Sequence, residues 1–291
     1  MLKVKGQDQE GIKAALAAEC VADVKTDGTE ATIIVSAATN FVNYHDVSGN
    51  AAQRNADYIN KVKLMSYAQL EKRHVEAYQK QFATSSLVLP TDINASLPTN
   101  QRLEKFAGSK DMAMVALMYN YGRYLLISSS QPGGQAANLQ GVWNDSKNAP
   151  WDSKYTININ TEMNYWPAEP TNLSEMHLPF LNYIWAMAEK QPQWKKWAKL
   201  QGQDRGWTCF TENNIFGGVS AFKNNYVIAN AWYATHLWQH YRYTLDREYL
   251  KRVFPAMLSA SQFWMDRLKL ASDGTYECPN EWSPEHGPDS E

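Results

Sequence analysis

The sequence has few cysteines, little net charge and no long apolar run. Its three cysteines, Cys20, Cys209 and Cys278, are widely spaced and odd in number, which supports neither a disulfide framework nor a zinc site. No apolar run reaches the roughly eighteen residues of a transmembrane helix, and the first residues lack the apolar core of a signal peptide. The formal charge of −2, without a Lys/Arg cluster, gives no support for nucleic-acid binding.

Several common catalytic motifs are also missing. The sequence contains no GxxxxGK[ST], GxGxxG, HExxH or GxSxG pattern. These patterns are typical of phosphate loops, dinucleotide sites, zinc proteases and serine hydrolases. We therefore predict no metal ion and no cofactor, and the sequence leaves the oligomeric state open.

Tryptophan is absent from the first 142 residues, since all eleven fall between Trp143 and Trp282. The first half also differs in its pattern: residues 28–36 have the composition of a strand, and a helix is predicted over about 51–81. A Pro-, Asn- and Ser-rich loop follows, and after residue 100 helical patterns dominate. We therefore predict a mainly α protein with a β-rich beginning, divided near residues 50 and 98.

Residues 131–170 combine side-chain amides with aromatic rings. This stretch holds six asparagines and three tryptophans in forty residues. It is too polar for a buried core element and too aromatic for a disordered linker. A sugar offers C–H faces that stack on aromatic rings and hydroxyl groups that bond to amides, so the composition indicates a carbohydrate site.

Within this stretch, Thr156, Asn158 and Asn160 alternate with two isoleucines. On a strand the three polar side chains would point to one side, with the asparagines about 6.6 Å apart. Such a pair could hold one water molecule between two amides, which would make it half of a catalytic site. The alternative is that both asparagines only bond to the backbone of a turn.

Trp282 and Glu285 lie in a WSPEH segment after the last predicted helix. A carboxyl group against an apolar wall keeps its proton at neutral pH, as a general acid must. An exposed loop glutamate is the alternative.

Two further groups of residues are candidates for ligand contact. Trp232 and His236 share one helix face, which is typical of either a cleft wall or a buried helix interface. Glu212 begins a Glu-Asn-Asn segment in a glycine-flanked loop, which fits either ligand contact or a simple turn.

The motifs just described resemble glycoside hydrolase family 95, whose members are chiefly 1,2-α-L-fucosidases. The resemblance is most specific over residues 122–175, and RGWTCFTENNIFGG, AWYATHLWQHYRYTLDREYL and WSPEH follow in the family's order. It implies a fold in which residues 1–50 end an N-terminal β domain and residues 51–98 form a helical linker. Residues 99–291 would then be the first half of an (α/α)6 barrel, so a truncated fragment is expected.

The resemblance also implies roles for individual residues. Glu285 matches the family's general acid, and Asn158 and Asn160 match the pair that positions the attacking water. The family adds an aspartate, expected beyond this chain, so the chain alone is expected to be inactive. Sugar hydrolysis would proceed with inversion. Substrate contacts are expected from a wider set of side chains: Trp143, Thr156, Glu212, Trp232, His236 and Trp282.

One position departs from the family pattern. Family fucosidases often have histidine where this chain has Thr156, and the smaller side chain could admit the extra hydroxymethyl oxygen of L-galactose. The resemblance therefore leaves two alternatives beside an α-L-fucosidase: an α-L-galactosidase, or a non-catalytic glycan-binding remnant. The partner would be a fucosylated glycan, and similar enzymes are exported, to the periplasm, the surface or the medium.

Overall fold

A computed structural model of the 291-residue chain describes residues 2–3, 17–26, 31–209, 211–220, 226–278 and 281. The chain divides into two compact units, one formed by residues 1–79 with 215–218 and the other by residues 80–214 with 219–291. The domain boundaries expected near residues 50 and 98 stay predictions.

The described residues are mainly α-helical, as the sequence predicts. The helices are α1 (Ala51–Val62), α2 (Tyr67–Phe82), α3 (Thr99–Lys105), α4 (Met112–Ser129), α5 (Asn160–Tyr165), α6 (Ser174–Glu189), α7 (Pro192–Leu200), α8 (Ala229–Thr244) and α9 (Arg247–Arg267). The strands are β1 (Leu2–Lys3), β2 (Ala17–Thr26), β3 (Ala31–Thr39), β4 (Tyr155–Thr156), β5 (Glu212–Asn213), β6 (Val219–Ser220), β7 (Lys269–Leu270) and β8 (Tyr276–Glu277). Within the described ranges, no helix combines the length and apolarity that crossing a membrane requires.

The first unit pairs an antiparallel sheet with a helix. Strands β2 and β3 pair along their full length, and α1 packs against them. Asn55 of α1 is completely buried, and its side-chain oxygen accepts a hydrogen bond of 2.8 Å from the Ser36 hydroxyl. The β-rich beginning is therefore confirmed for the residues described.

Two details of the predicted helices are wrong. The single helix expected over about 51–81 is two helices, α1 and α2, separated after Val62. The spacing of Asn172 and Glu175 predicts a capping box ahead of α6, but Asn172 has a left-handed φ of 59°. Its side-chain amide donates to the Thr84 carbonyl oxygen at 3.0 Å instead, so a contact distant in sequence replaces the cap.

Aromatic rings form the core of the second unit. The rings of Trp194 and Trp207 stack with centroids 5.1 Å apart, and both side chains are completely buried. Tyr183 of α6 meets the Trp194 ring edge-on, and Phe180 meets Tyr233 of α8 in the same way. Helices α6, α7 and α8 are thus joined through aromatic rings.

A buried arginine fixes the segment that precedes this core. Arg123 of α4 is only 1% exposed, and its guanidinium lies over the Phe82 ring at 5.2 Å. It also donates five hydrogen bonds of 2.6 to 3.2 Å. The acceptors are the carbonyl oxygens of Gln81, Phe82, Ser85 and Thr171 and the hydroxyl oxygen of Thr84.

We expect Arg123→Met to lower the free energy of unfolding of the second unit by about 3 kcal/mol or more, because buried carbonyl groups would lose a charged donor. Tryptophan fluorescence during urea unfolding measures this unit selectively, since all eleven tryptophans belong to it. The matched control is Arg242→Met, at an exposed position of α8, with an expected change below about 0.5 kcal/mol. Equal unfolding midpoints for the two variants would contradict the anchoring role of Arg123.

Candidate functional site

A three-stranded sheet in the order β4-β5-β6 joins two candidate segments that lie far apart in sequence. Its antiparallel register sets Thr156 opposite Glu212. The next backbone bond runs from the Ile157 N–H to the Thr211 carbonyl oxygen at 2.8 Å. Lys154 donates to the Glu212 carboxylate at 3.0 Å. The structure therefore brings the candidates Thr156 and Glu212 together, and Glu212 forms an ion pair with Lys154.

The strand predicted through Asn160 ends at Thr156, and helix α5 begins at Asn160. The hydroxyl of Thr161, in the first turn of α5, donates to the Thr156 carbonyl oxygen at 2.9 Å. Asn158 and Asn160 consequently lie on a strand-to-helix turn, and their alternation with isoleucine does not reflect one strand face. Asn158 is 7% exposed, whereas Asn160 is half-buried at the start of the helix.

Tyr226 supports this turn from the interior. Its hydroxyl lies 3.4 Å from the carbonyl oxygens of both Ile157 and Asn158, and Tyr226 and Ile157 are completely buried. The side-chain oxygen of Asn158 is itself buried and has no hydrogen-bond partner among the described residues. The backbone of the turn is therefore fixed, whereas the amide oxygen of Asn158 has no partner in the part of the chain that the structure describes.

A buried carboxylate–histidine network follows α5. Glu169 Oε1 accepts hydrogen bonds from His177 Nδ1 at 2.7 Å and from His240 Nδ1 at 2.6 Å, and Ser174 donates to Glu169 Oε2. His177 Nε2 and His236 Nδ1 lie 3.0 Å apart. The network therefore joins α6 and α8 through the turn after α5, and it places the candidate His236 at one end.

The hydrogen bonds determine the charges in this network. Burial alone would raise the pKa of Glu169, but the bonds from His177, His240 and Ser174 outweigh it and hold this pKa well below its usual value. Burial lowers the pKa of His177, and burial together with nearby His177 lowers the pKa of His236 to about 3. At neutral pH Glu169 is ionised, and His177 and His236 are neutral.

These charges also fix the tautomers. Because ionised Glu169 only accepts hydrogen bonds, the proton of His177 must be on Nδ1. Its Nε2 is then an acceptor, so His236 carries its proton on Nδ1 and leaves Nε2 unprotonated. His236 Nε2 is therefore able to accept a hydrogen bond, for example from a hydroxyl group.

Glu169, His177 and His240 could also be considered as metal ligands, because their ligand atoms lie within 4.8 Å of one another. Two tetrahedral ligands at about 2.0–2.1 Å from one ion would be about 3.3 Å apart. The nitrogen–oxygen distances of 2.6 and 2.7 Å are shorter and match charge-assisted hydrogen bonds. The geometry of this group favours protons over a metal ion.

The remaining candidates are more scattered. Trp232 is half-buried and meets the Trp166 ring edge-on at 6.2 Å, which places it beside the end of α5. Trp143 is 44% exposed, and its ring lies 6.4 Å from that of Tyr124 on α4. Trp282 and Glu285 lie outside the described residues. The general-acid assignment of Glu285 therefore stays a prediction.

Sequence reasoning missed four buried residues that lie around the asparagine turn or hold the helices near it. They are Glu162, Glu169, His177 and His240. Two signals were present: both carboxyls fall in the unusual 131–170 stretch, and His240 is one helical turn after His236. Neither signal tells which side chain is buried or which partner it meets.

Comparison with known proteins places this site in a family. The glycosyl hydrolase family 95 catalytic domain matches residues 66–291. Over 271 residues the chain is 35% identical to "Alpha-L-fucosidase 2" of Arabidopsis thaliana, covering 88% of this chain and 32% of that protein. It is 37% identical over 236 residues to "Probable alpha-fucosidase A" of Aspergillus niger, covering 77% of this chain and 29% of the relative.

The chain therefore belongs to glycosyl hydrolase family 95. It spans about a third of the length of the curated relatives that it matches. The family match includes the asparagine turn, the β4–β6 sheet and the carboxylate–histidine network.

The histidine network predicts how stability depends on pH. Because His177 and His236 have lowered pKa values when folded, the unfolded chain binds more protons below pH 6.5. Stability is fully present above pH 6.5 and falls as the pH decreases from there. Glu169, whose pKa is also lowered, adds a further loss below its ordinary value of 4.5.

The unfolding free energy is expected to decrease between pH 6.5 and 4.5. We expect this decrease to be smaller in His236→Gln by on the order of 2 kcal/mol, because the variant lacks one histidine that the fold keeps neutral. Urea unfolding at each pH, followed by tryptophan fluorescence, measures the effect. His74→Gln, at an exposed position of α2, is the control and should leave the slope unchanged. If the unfolding free energy of His236→Gln depended on pH as it does in the unchanged protein, the pKa of His236 would be the same in the folded and unfolded states.

Proposed function

We propose that this chain forms part of the catalytic domain of an enzyme that hydrolyses terminal α-L-fucosyl residues, with α-1,2 linkages the expected preference. One observation carries the proposal. Residues 66–291 match the family 95 catalytic domain, and within this match the turn of Asn158 and Asn160 directly follows Thr156, which pairs with Glu212. The names of the relatives, two of them α-fucosidases from a plant and a fungus, support the sugar.

In this proposal Glu285 is the general acid. It protonates the glycosidic oxygen as the bond to the sugar carbon breaks. Asn158 and Asn160 hold the attacking water on the opposite side of the sugar ring. A side-chain amide has no usable proton affinity near neutral pH, so a separate carboxylate must accept the proton of that water. Attack from the side opposite the leaving group inverts the anomeric centre.

For the fold, we propose that residues 99–291, which contain α3–α9, form the first half of an (α/α)6 barrel. Helices α6, α8 and α9 contact one another, and the turns and loops between helices carry the polar candidates. Such an arrangement would place functional groups on connections held by a rigid helical scaffold.

A second candidate function is the hydrolysis of α-L-galactosides, favoured by one observation. Thr156 is half-buried beside Glu212, where the family often has a larger histidine. The smaller side chain leaves room for the hydroxymethyl oxygen that distinguishes L-galactose from L-fucose. A third candidate, a glycan-binding protein without turnover, is separated from both enzymes by an activity assay.

We expect Glu285→Gln to lower kcat on 2′-fucosyllactose by at least about a hundredfold, because the leaving oxygen would lose its proton donor, while fucose binding persists. Released L-fucose is measured with this sequence completed to the length of its family relatives, because the 291-residue chain alone is expected to be inactive. Glu277→Gln, at an exposed position eight residues earlier, is the matched control and should keep full activity. An unchanged rate in Glu285→Gln would refute the acid assignment.

We expect Thr156→His to shift the kcat/KM ratio of aryl α-L-fucoside over aryl α-L-galactoside by about tenfold or more towards fucose, since one extra group in a pocket changes discrimination by about 1–3 kcal/mol. Thr156→Ser keeps a small hydroxyl side chain and should leave the ratio near that of the unchanged protein. If the unchanged protein rejects L-galactoside as strictly as Thr156→His does, Thr156 does not set sugar tolerance.

A further inference from the structure

Three buried polar side chains around the asparagine turn have no hydrogen-bond partner among the described residues. They are the side-chain oxygen of Asn158, both carboxyl oxygens of Glu162 and the hydroxyl of Tyr233. Glu162 and Tyr233 are completely buried. Buried polar groups without a partner cost about 1–3 kcal/mol each, so a cluster of them in one core requires an explanation.

The three groups belong to one neighbourhood. Glu162 lies in the first turn of α5, four residues after Asn158. Tyr226, whose hydroxyl approaches the Asn158 carbonyl oxygen, and Tyr233 both interact electrostatically with the Glu162 carboxyl. Glu162 therefore lies close to Asn158 in the chain, and its helix α5 packs against α8, which holds Tyr233.

The surroundings of Glu162 keep its proton on. Burial raises the pKa of this carboxyl well above its ordinary value. The described titratable groups that interact with it are Cys209, Tyr226 and Tyr233, and none of them is a cation. A protonated carboxyl carries one hydrogen-bond donor together with an acceptor, whereas a carboxylate would only accept.

We propose that Glu162 is a positioning residue for Asn158. Glu162 and Tyr233 hold the amide oxygen of Asn158 through a hydrogen-bond network that one bound water completes. The meaning of this network for catalysis rests on the proposed function, in which Asn158 meets the attacking water.

The donors and acceptors of such a network balance. The water donates to the Asn158 amide oxygen and to the carbonyl oxygen of the Glu162 carboxyl. It accepts from the Glu162 hydroxyl and from the Tyr233 hydroxyl. Buried waters in proteins make about three hydrogen bonds, in the range of two to four, to polar groups of this kind. Both lone donors and both lone acceptors are then satisfied.

Holding the amide oxygen fixes the direction of the Asn158 side chain. With its oxygen on the inner side, the NH2 group of Asn158 faces away from the Glu162 carboxyl. A ligand would then meet a donor at this position, and free rotation of the amide would no longer exchange donor and acceptor. The side-chain amide of asparagine needs such support because its oxygen and nitrogen ends have nearly the same shape.

Substitutions at Glu162 separate positioning from packing. Glu162→Gln keeps the size, one acceptor and a donor, whereas Glu162→Leu removes both while staying apolar. We expect the two side-chain N–H resonances of Asn158, identified by their loss in Asn158→Asp, to be preserved in Glu162→Gln. In Glu162→Leu their exchange with solvent should accelerate at least about tenfold, because the amide loses its buried support.

Two further variants complete the experiment. Tyr233→Phe removes only a hydroxyl and should also accelerate exchange at Asn158, which tests the network even if Glu162→Leu does not fold. Glu175→Leu is the matched control, since Glu175 lies exposed in the first turn of α6, and it should have no effect. Isotope-edited infrared spectra of the 291-residue chain at neutral pH should contain a protonated carboxyl band that Glu162→Gln removes.

The outcomes are decisive in both directions. An ionised Glu162 in the infrared spectrum, or Asn158 resonances that Glu162→Leu and Tyr233→Phe leave unchanged, would overturn the positioning role. Activity measurements separate the positioning role of Glu162 from the proposed function. In an active enzyme that contains this chain, Glu162→Gln should retain kcat within about threefold. Glu162→Leu should lower kcat with little change in KM. If no fucoside is hydrolysed while Glu162→Leu and Tyr233→Phe still accelerate exchange at Asn158, only the proposed function is refuted.

Discussion

The interaction on which the site depends is the hydrogen bonding of carboxyl groups that the helical core buries. Glu162 and Glu169 lie seven residues apart, and both are nearly inaccessible to solvent. Glu169 receives hydrogen bonds from two histidines and a serine, so its pKa falls and it stays ionised. Glu162 has no donor among the described side chains, so burial raises its pKa well above the ordinary value and favours the protonated form. The pKa of the same residue type is thus shifted in opposite directions at two positions of one short segment, because the environment differs.

Glu162 lies in the first turn of helix α5 and Glu169 follows the helix, which carries Asn160 at its start. The helix is too short to be stable by itself, so its position depends on neighbours. Tyr165, at its end, accepts a hydrogen bond of 2.7 Å from the Ala137 N–H and shares another with Ser130. At its beginning, the hydroxyl of Thr161 bonds back to the end of β4. The asparagine turn is therefore held from both sides, and its geometry follows from tertiary contacts that no local pattern contains.

The sequence predicts some of these features and not others, for physical reasons. Composition and helical periodicity predict a mainly α protein, and the amides and rings of residues 131–170 indicate the segment that contains the asparagine turn. Alternation over Thr156–Asn160 suggested a strand, but five residues of alternation fit a strand-to-helix turn equally well. The partners of Glu169 and the isolation of Glu162 could not be predicted, since both depend on α6 and α8 packing against α5. Glu285 lies outside the described residues, so its role rests on the family resemblance.

In the proposed mechanism, the carboxyl environments also limit which group accepts a proton from water at the asparagine pair. Burial raises the pKa of Glu162 well above its ordinary value, which favours the protonated form, and that form cannot act as a base. Glu169 is ionised, but its oxygens are engaged by three donors, and protonation would break the network that joins α6 to α8. Glu212 is engaged in an ion pair with Lys154 at 3.0 Å. None of these three carboxyls, the ones described around the turn, fits the task. The proposed mechanism therefore needs another carboxylate to activate the water, and the family resemblance implies an aspartate in that role.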